Sequence, residues 1–234
     1  MNPSNQERWD KLVSMITDET RKKQFDKFIE YAKEHSSYFT APASPAYHCS
    51  WEEGLVEHSM NVATNAVILN RALKANLNEE ELIIGGLVHD FGKCYIGEDE
   101  PYYTISVPTP AQAKAGYVPY PAYGYNKEGQ VFMTVPQRAV RILTQFVDIS
   151  DALYQAILIH DGQYVQENKP YGAKENPMAL ILHYADSWAG FTMEGKTEKS
   201  PSGKSYVKVE EDKVGNHGFD IRVSQVVESQ NRWR

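Results

Sequence analysis

Apolar side chains recur every three to four residues through most of the first half of the chain. Trp9, Leu12, Val13 and Ile16 make one stripe and Phe25, Phe28, Ile29 and Ala32 the next, which predicts two amphipathic helices joined near Asp18 to Thr20. After the turn-rich "FTAPASPAYHCSWEEG", the helical period returns from Leu55 to about Leu73 and again in "NEEELIIGGLVHD". Asn78 is placed to cap that last helix, with three glutamates in its first turn. Gly85 and Gly86 weaken a helix where they stand, and their use is to let a neighbouring helix approach closely.

Residues 95 to 135 break the pattern, with seven tyrosines and five prolines in 41 residues. Within this excursion "AYGYNKEGQVFMTV" reads as a β-hairpin turning around Asn126 to Gly129. A connection of this length and aromatic content is functional rather than disordered. Helical period resumes at "PQRAVRILTQF", "SDALYQAILIH" and "NPMALILHYADSWAG", and beyond the loop "KTEKSPSGKS" the alternation in "SYVKVEEDKVGNHGFDIRVSQVV" predicts two short strands. The expected class is all-α, with a Tyr/Pro-rich insertion and a small β-containing C-terminal appendage. Expected boundaries are 1–38 for the N-terminal helices, 39–194 for the main domain with its insertion 95–135, and 195–234 for the appendage.

Composition narrows the picture. A net charge of −7 argues against tight, sequence-independent binding to a polyphosphate chain, so a DNA duplex is not an expected partner. Cys49 and Cys94 belong to no CxxC pair, which suggests neither a disulfide framework nor a zinc knuckle. The N-terminus carries no apolar signal region and no window reaches 18 apolar residues; the expected setting is cytoplasmic, without a membrane partner.

The candidate chemistry lies in polar residues set into apolar stripes. His58 falls within a helix beside Leu55, Val56 and Val62, His89 and Asp90 end the next one, His160 ends a later one, and Asp186 sits in the last. Burying each of these unpaired costs about 1–3 kcal/mol, so the helices must supply partners. Imidazoles and carboxylates projecting inward from several helices are how a bundle builds a metal site. His35, His183 and His217 read instead as hydrogen-bonded core residues.

His58, His89-Asp90 and Asp186, in the contexts "GLVEHSMNVA", "GGLVHDFGK" and "ILHYADSWAG", resemble the H…HD…D signature of the HD-domain superfamily of metal-dependent phosphohydrolases. The resemblance runs from about Phe39 to Gly190, and "FTAPASPAYHCSWEEGLVEHS" and "ILIHDGQ" are similar to segments of the bacterial HD-domain 3′→5′ exoribonucleases. It implies an HD-domain helical bundle and a metal held by His58, His89, Asp90 and Asp186, with His48 as a substrate contact. The chain departs from its relatives in two ways. Only about 40 residues precede the resemblance, so the OB-type domain of those nucleases is expected to be missing. No histidine lies between Asp90 and His160, and residue 161 is Asp, which favours one ion over two, with His160 and Asp161 as candidates for a second.

Such a ligand set suits a divalent ion (Mn²⁺, Fe²⁺, Co²⁺, Ni²⁺ or Mg²⁺), with manganese a leading expectation. Asp90, Lys93 and His160 are the expected catalytic groups, Lys93 also as a phosphate contact. Tyr102, Tyr103, Tyr120 and Tyr123 are expected to stack on a base. The resulting expectation is a phosphohydrolase acting on a phosphoester or phosphoanhydride of a nucleotide. A 3′→5′ exoribonuclease on single-stranded RNA is the alternative, and a non-catalytic nucleotide-binding regulatory module the third reading.

Overall fold

All but one of the long helices start where a short polar side chain can satisfy the first free amides. In a computed structural model, α1 (Pro3–Ser14) is capped by Asn2, α2 (Glu19–His35) by Asp18, and α4 (Glu79–Val88) by Asn78, which accepts from the Glu80 and Glu81 amides. The intervening α3 (Gly54–Ala72) has no side-chain cap and begins instead from a left-handed Glu53. A short α5 (Pro110–Lys114) falls in the insertion. Thr134 and Gln137 form a capping box on α6 (Val135–Leu143), Ser150 caps α7 (Asp151–Leu158), and Asn176 caps α8 (Pro177–Trp188). The structure describes residues 1–44, 47–94 and 131–194, together with the short elements at 103–105, 110–114, 117–119, 123–125 and 206–208.

Helix α3 is the centre of the bundle: it lies against α4 and α8, and α7 packs on α8. The α3–α4 approach depends on Gly86, where an added Cβ would lie 2.4 Å from the Ala63 Cα. The expected close approach is therefore made at this glycine. The N-terminal helices join the same apolar core through Trp9, Leu12, Phe25 and Phe28, the last ring lying 5.0 Å from Phe91 just beyond α4. The Tyr38 hydroxyl, fully buried, donates to the Leu87 carbonyl near the end of α4. Among the described residues no helix is long and apolar enough to cross a membrane.

Strand β1 (Tyr103–Ile105) pairs antiparallel with β3 (Tyr123–Tyr125), and β2 (Tyr117–Pro119) with β4 (Tyr206–Lys208). The expected hairpin is not confirmed: among the described residues β3 pairs with β1 upstream, and residues 131–134 lead into α6 without strand structure. The turn at Asn126 to Gly129 lies outside the described residues, as does His217. His35 is not a core residue; it is 55% exposed at the end of α2, with its ring against Tyr31. Its position next to the helix terminus takes it off the apolar stripe. Cys49 and Cys94 are buried free thiols, and burial pushes the Cys94 thiol up to about 12.

Candidate metal centre

Five side chains from four parts of the bundle meet at one point. His58 comes from the second turn of α3, His89 caps the C-terminus of α4, Asp90 opens the 3₁₀ turn Phe91–Lys93, His160 follows α7, and Asp186 lies in the last turn of α8. The His58 and His89 Nε2 atoms stand 3.3 Å apart. Asp186 Oδ1 is 3.2 Å from His58 Nε2 and 3.9 Å from His89 Nε2. Asp90 bridges the group, with Oδ2 3.6 Å from His58 Nε2 and 3.5 Å from His89 Nε2, and Oδ1 3.5 Å from His160 Nε2.

The opposite edge of each ring explains why these nitrogens face inward. His89 Nδ1 donates to the Gly86 carbonyl at 2.9 Å and His160 Nδ1 to the Ile157 carbonyl at 2.8 Å, each three residues upstream. His58 Nδ1 donates to the Glu194 carboxylate at 2.9 and 3.0 Å. Protons so placed leave each Nε2 as a lone pair turned toward the others and toward two carboxylates. Among the described residues this buried cluster of lone pairs and negative charge is met by Lys93, and the donor set fits a divalent cation. Nitrogen and carboxylate ligands together match a transition ion better than calcium.

Electrostatics agree with that demand. Burial, the largest influence on His58, lowers its pKa, but the Glu194 and Asp186 carboxylates overcome it and hold the ring at about 10. Burial likewise opposes protonation of His160, which Asp161 and Asp90 nonetheless raise to about 9, whereas burial prevails at His89 and takes it down to about 4. Asp90 resists the upward push of burial because Lys93 and the imidazoles surround it, and its carboxyl is held well below the usual range. Asp186 is depressed in the same way, by His58 after burial is overcome.

Above the cluster opens a cavity of about 270 Å³, walled by Lys93, His160, Asp161, His183 and Ser187 among others. The Lys93 ammonium binds Asp90 Oδ2. Asp161 is 46% exposed at the rim, with Oδ1 3.8 Å from His160 Nε2. His183, read as a partnered core residue, is partnered: its Nδ1 donates to the His160 carbonyl at 2.7 Å, although its ring also lines the cavity. The ring of His48 stands 4.7 Å from that of His58, and its buried Nε2 has no hydrogen-bond partner among the described residues. Its backbone is fixed by Ser44, whose hydroxyl donates to the His48 carbonyl at 2.7 Å and accepts from the His48 amide at 2.9 Å. Burial lowers His48 to about 4, with the neighbouring His58 acting the same way. Tyr102 and Tyr120 lie outside the described residues; Tyr103 and Tyr123 supply backbone to β1 and β3.

Glu194 went unread in the sequence. A π turn over Ala189–Met193 follows α8 and brings this carboxylate back beneath His58, buried to 8% exposure. Asn61, one turn after His58, donates to Glu194 Oε1 at 2.8 Å, and Arg8 of α1 donates to Asn61 Oδ1 at 2.6 Å. The single signal available was Asn61 itself, an amide on the buried side of α3 within one turn of a candidate ligand.

A helical bundle that brings a lone histidine, a His-Asp pair and a final aspartate to one buried point has the architecture of the HD domains, and the HD domain family matches residues 55–189. This chain belongs to that family. Among curated proteins it is 32% identical over 101 residues to the dihydroneopterin 2′,3′-cyclic phosphate phosphodiesterase of Methanocaldococcus jannaschii, an alignment covering 38% of this chain and 41% of that protein. The chain thus matches about two fifths of the length of that curated relative. No solved structure matches.

Proposed function

We propose that this protein is a metal-dependent phosphodiesterase that opens a phosphodiester of a nucleotide-like small molecule. The observation that carries the reading is the convergence of three imidazole Nε2 atoms and two carboxylates at the floor of a cavity whose wall includes a lysine. The relative in Methanocaldococcus jannaschii, a phosphodiesterase named for a 2′,3′-cyclic phosphate of dihydroneopterin, supports the same class. His58, His89, Asp90 and Asp186 would hold one divalent ion, manganese or iron in preference to magnesium because of the nitrogen ligands. Bound there, the ion supplies Lewis acidity toward a phosphoryl oxygen and acidifies a water. Lys93, steadied by Asp90, offers its charge to a phosphate oxygen. His160, on the cavity wall, would serve the leaving oxygen, and Asp161 at the rim is the carboxylate available to a second ion.

Elemental analysis and turnover together test this. His58→Ala, His89→Ala, Asp90→Ala and Asp186→Ala are each expected to lose metal and activity together, and His183→Ala to keep its metal. His160→Ala is expected to keep metal yet lose roughly 10²-fold in turnover, the scale of a missing electrostatic group. Full occupancy in His89→Ala or Asp90→Ala would sink the ligand set. Stepwise shortening of labelled RNA with no turnover of small phosphodiesters would replace the substrate class.

A further inference from the structure

The cavity over the metal centre, about 270 Å³, is at the small end of ligand sites. A phosphodiester and its sugar would take up much of that space. Around the corner of α8 lies a second, larger cavity of about 670 Å³, between Ile68 and Leu69 of α3 and Tyr184, Trp188 and Phe191 along α8 and its π turn. We infer that this groove seats the flat, uncharged ring system of the substrate whose phosphodiester lies at the metal centre. The inference rests on the phosphodiesterase reading of that centre.

Three observations support it. The two cavities share Ser187 and Phe191 in their linings, which sets them side by side along α8 and its π turn. Their chemistry is divided as such a ligand's is: Asp90, Lys93, Asp161 and Asp186 line the first, and no charged side chain lines the second among the described residues. The third is aromatic exposure. Tyr184, Trp188 and Phe191 recur at four- and three-residue spacing, forming one stripe on the surface, and are 60%, 59% and 70% exposed. Aromatic faces left in water beside a catalytic cavity are suited to stacking on a heterocycle. Helix α8 therefore serves both ends of the ligand, with Asp186 on one face and Tyr184 and Trp188 on the next.

Two probes separate the ring from the phosphate: guanosine 2′,3′-cyclic phosphate and 1-O-methylribose 2′,3′-cyclic phosphate, which lacks the base. The metal-loaded wild type is expected to favour the first in kcat/KM, and Trp188→Ala and Tyr184→Ala each to reduce that preference about tenfold through KM. Phe191→Ala, at the end of the same stripe where the two cavities meet, gives a further check. An unchanged preference in all three variants overturns the groove assignment while leaving the phosphodiesterase reading standing. If neither probe is turned over but the guanosine compound still quenches tryptophan fluorescence, and Trp188→Phe abolishes the quenching, the groove assignment holds and the phosphodiesterase reading fails. A wild-type dimer that Trp188→Ala converts to a monomer in light scattering would give the groove to a second copy of the chain and overturn the inference.

Discussion

His58 has two working edges, and the structure accounts for both. Its Nε2 faces the candidate metal position, while its Nδ1–H is held by Glu194, which Asn61 and then Arg8 hold in turn. A carboxylate behind a ligating imidazole fixes the ring's tautomer and raises its basicity, and loss of such a partner typically costs 10–100-fold in metal affinity. Glu194→Ala is therefore expected to weaken binding of Mn²⁺ or Ni²⁺ by roughly that factor in a chelator competition, with Asn61→Ala showing a smaller loss. Wild-type affinity in Glu194→Ala would mean the carboxylate does no more than fill space. His58, His89, Asp90 and Asp186 were legible because each interrupts an apolar stripe and so advertises a buried polar group. Glu194 was not legible, since it owes its place to a π turn that reverses the chain 136 residues after His58.

At the scale of elements, the helices were readable from stripe and cap together, and Gly86 shows why the glycine pair in α4 is informative. A methyl group at Gly86 would meet the Ala63 Cα at 2.4 Å and its amide nitrogen at 2.5 Å, backbone atoms that cannot rotate away. At Gly85 it would meet Leu153 Cδ1 at 2.8 Å, the far end of a side chain that can change rotamer. Overpacking costs about 1–3 kcal/mol or more, against a propensity gain near 1 kcal/mol. Gly86→Ala should accordingly lower Tm, and because it pushes α3 from α4 it should also separate His58 from His89 and reduce metal retention. Gly85→Ala should do neither to the same degree; equal melting curves for the two variants would remove the close approach as the glycine's role. The strand pairs were less readable. Each is three residues long with a distant partner, and a stretch that short carries too little alternation to specify what it pairs with.

For the molecule as a whole, the stripes of α1 and α2 showed that these helices bury a face without showing against what. The family match starts at residue 55, yet the N-terminal helices are fastened to α4, the helix that delivers His89. Glu80, in the first turn of α4, accepts from the Thr17 amide and hydroxyl at 2.8 Å each, the Asp18 amide at 3.0 Å and Arg21 Nη1 at 2.7 Å. Burial raises the Glu80 pKa, but the hydrogen bonds from Arg21 and Thr17 outweigh it and lower the carboxyl to about 2 from an ordinary 4.5. A group depressed in the folded state binds protons more readily when unfolded, so its stabilisation is fully present above about pH 4.5 and disappears as the pH falls toward about 2. Partial exposure and screening reduce the contribution to about 1–2 kcal/mol. Glu80→Gln is thus expected to be less stable than wild type by that amount in urea denaturation at pH 7, and the gap to narrow steadily below about pH 4.5. A gap that persists undiminished at pH 3.5 would show that the latch does not depend on a depressed carboxylate at Glu80, since at that pH the glutamate of the unfolded chain is already mostly protonated and the linkage contribution must have shrunk.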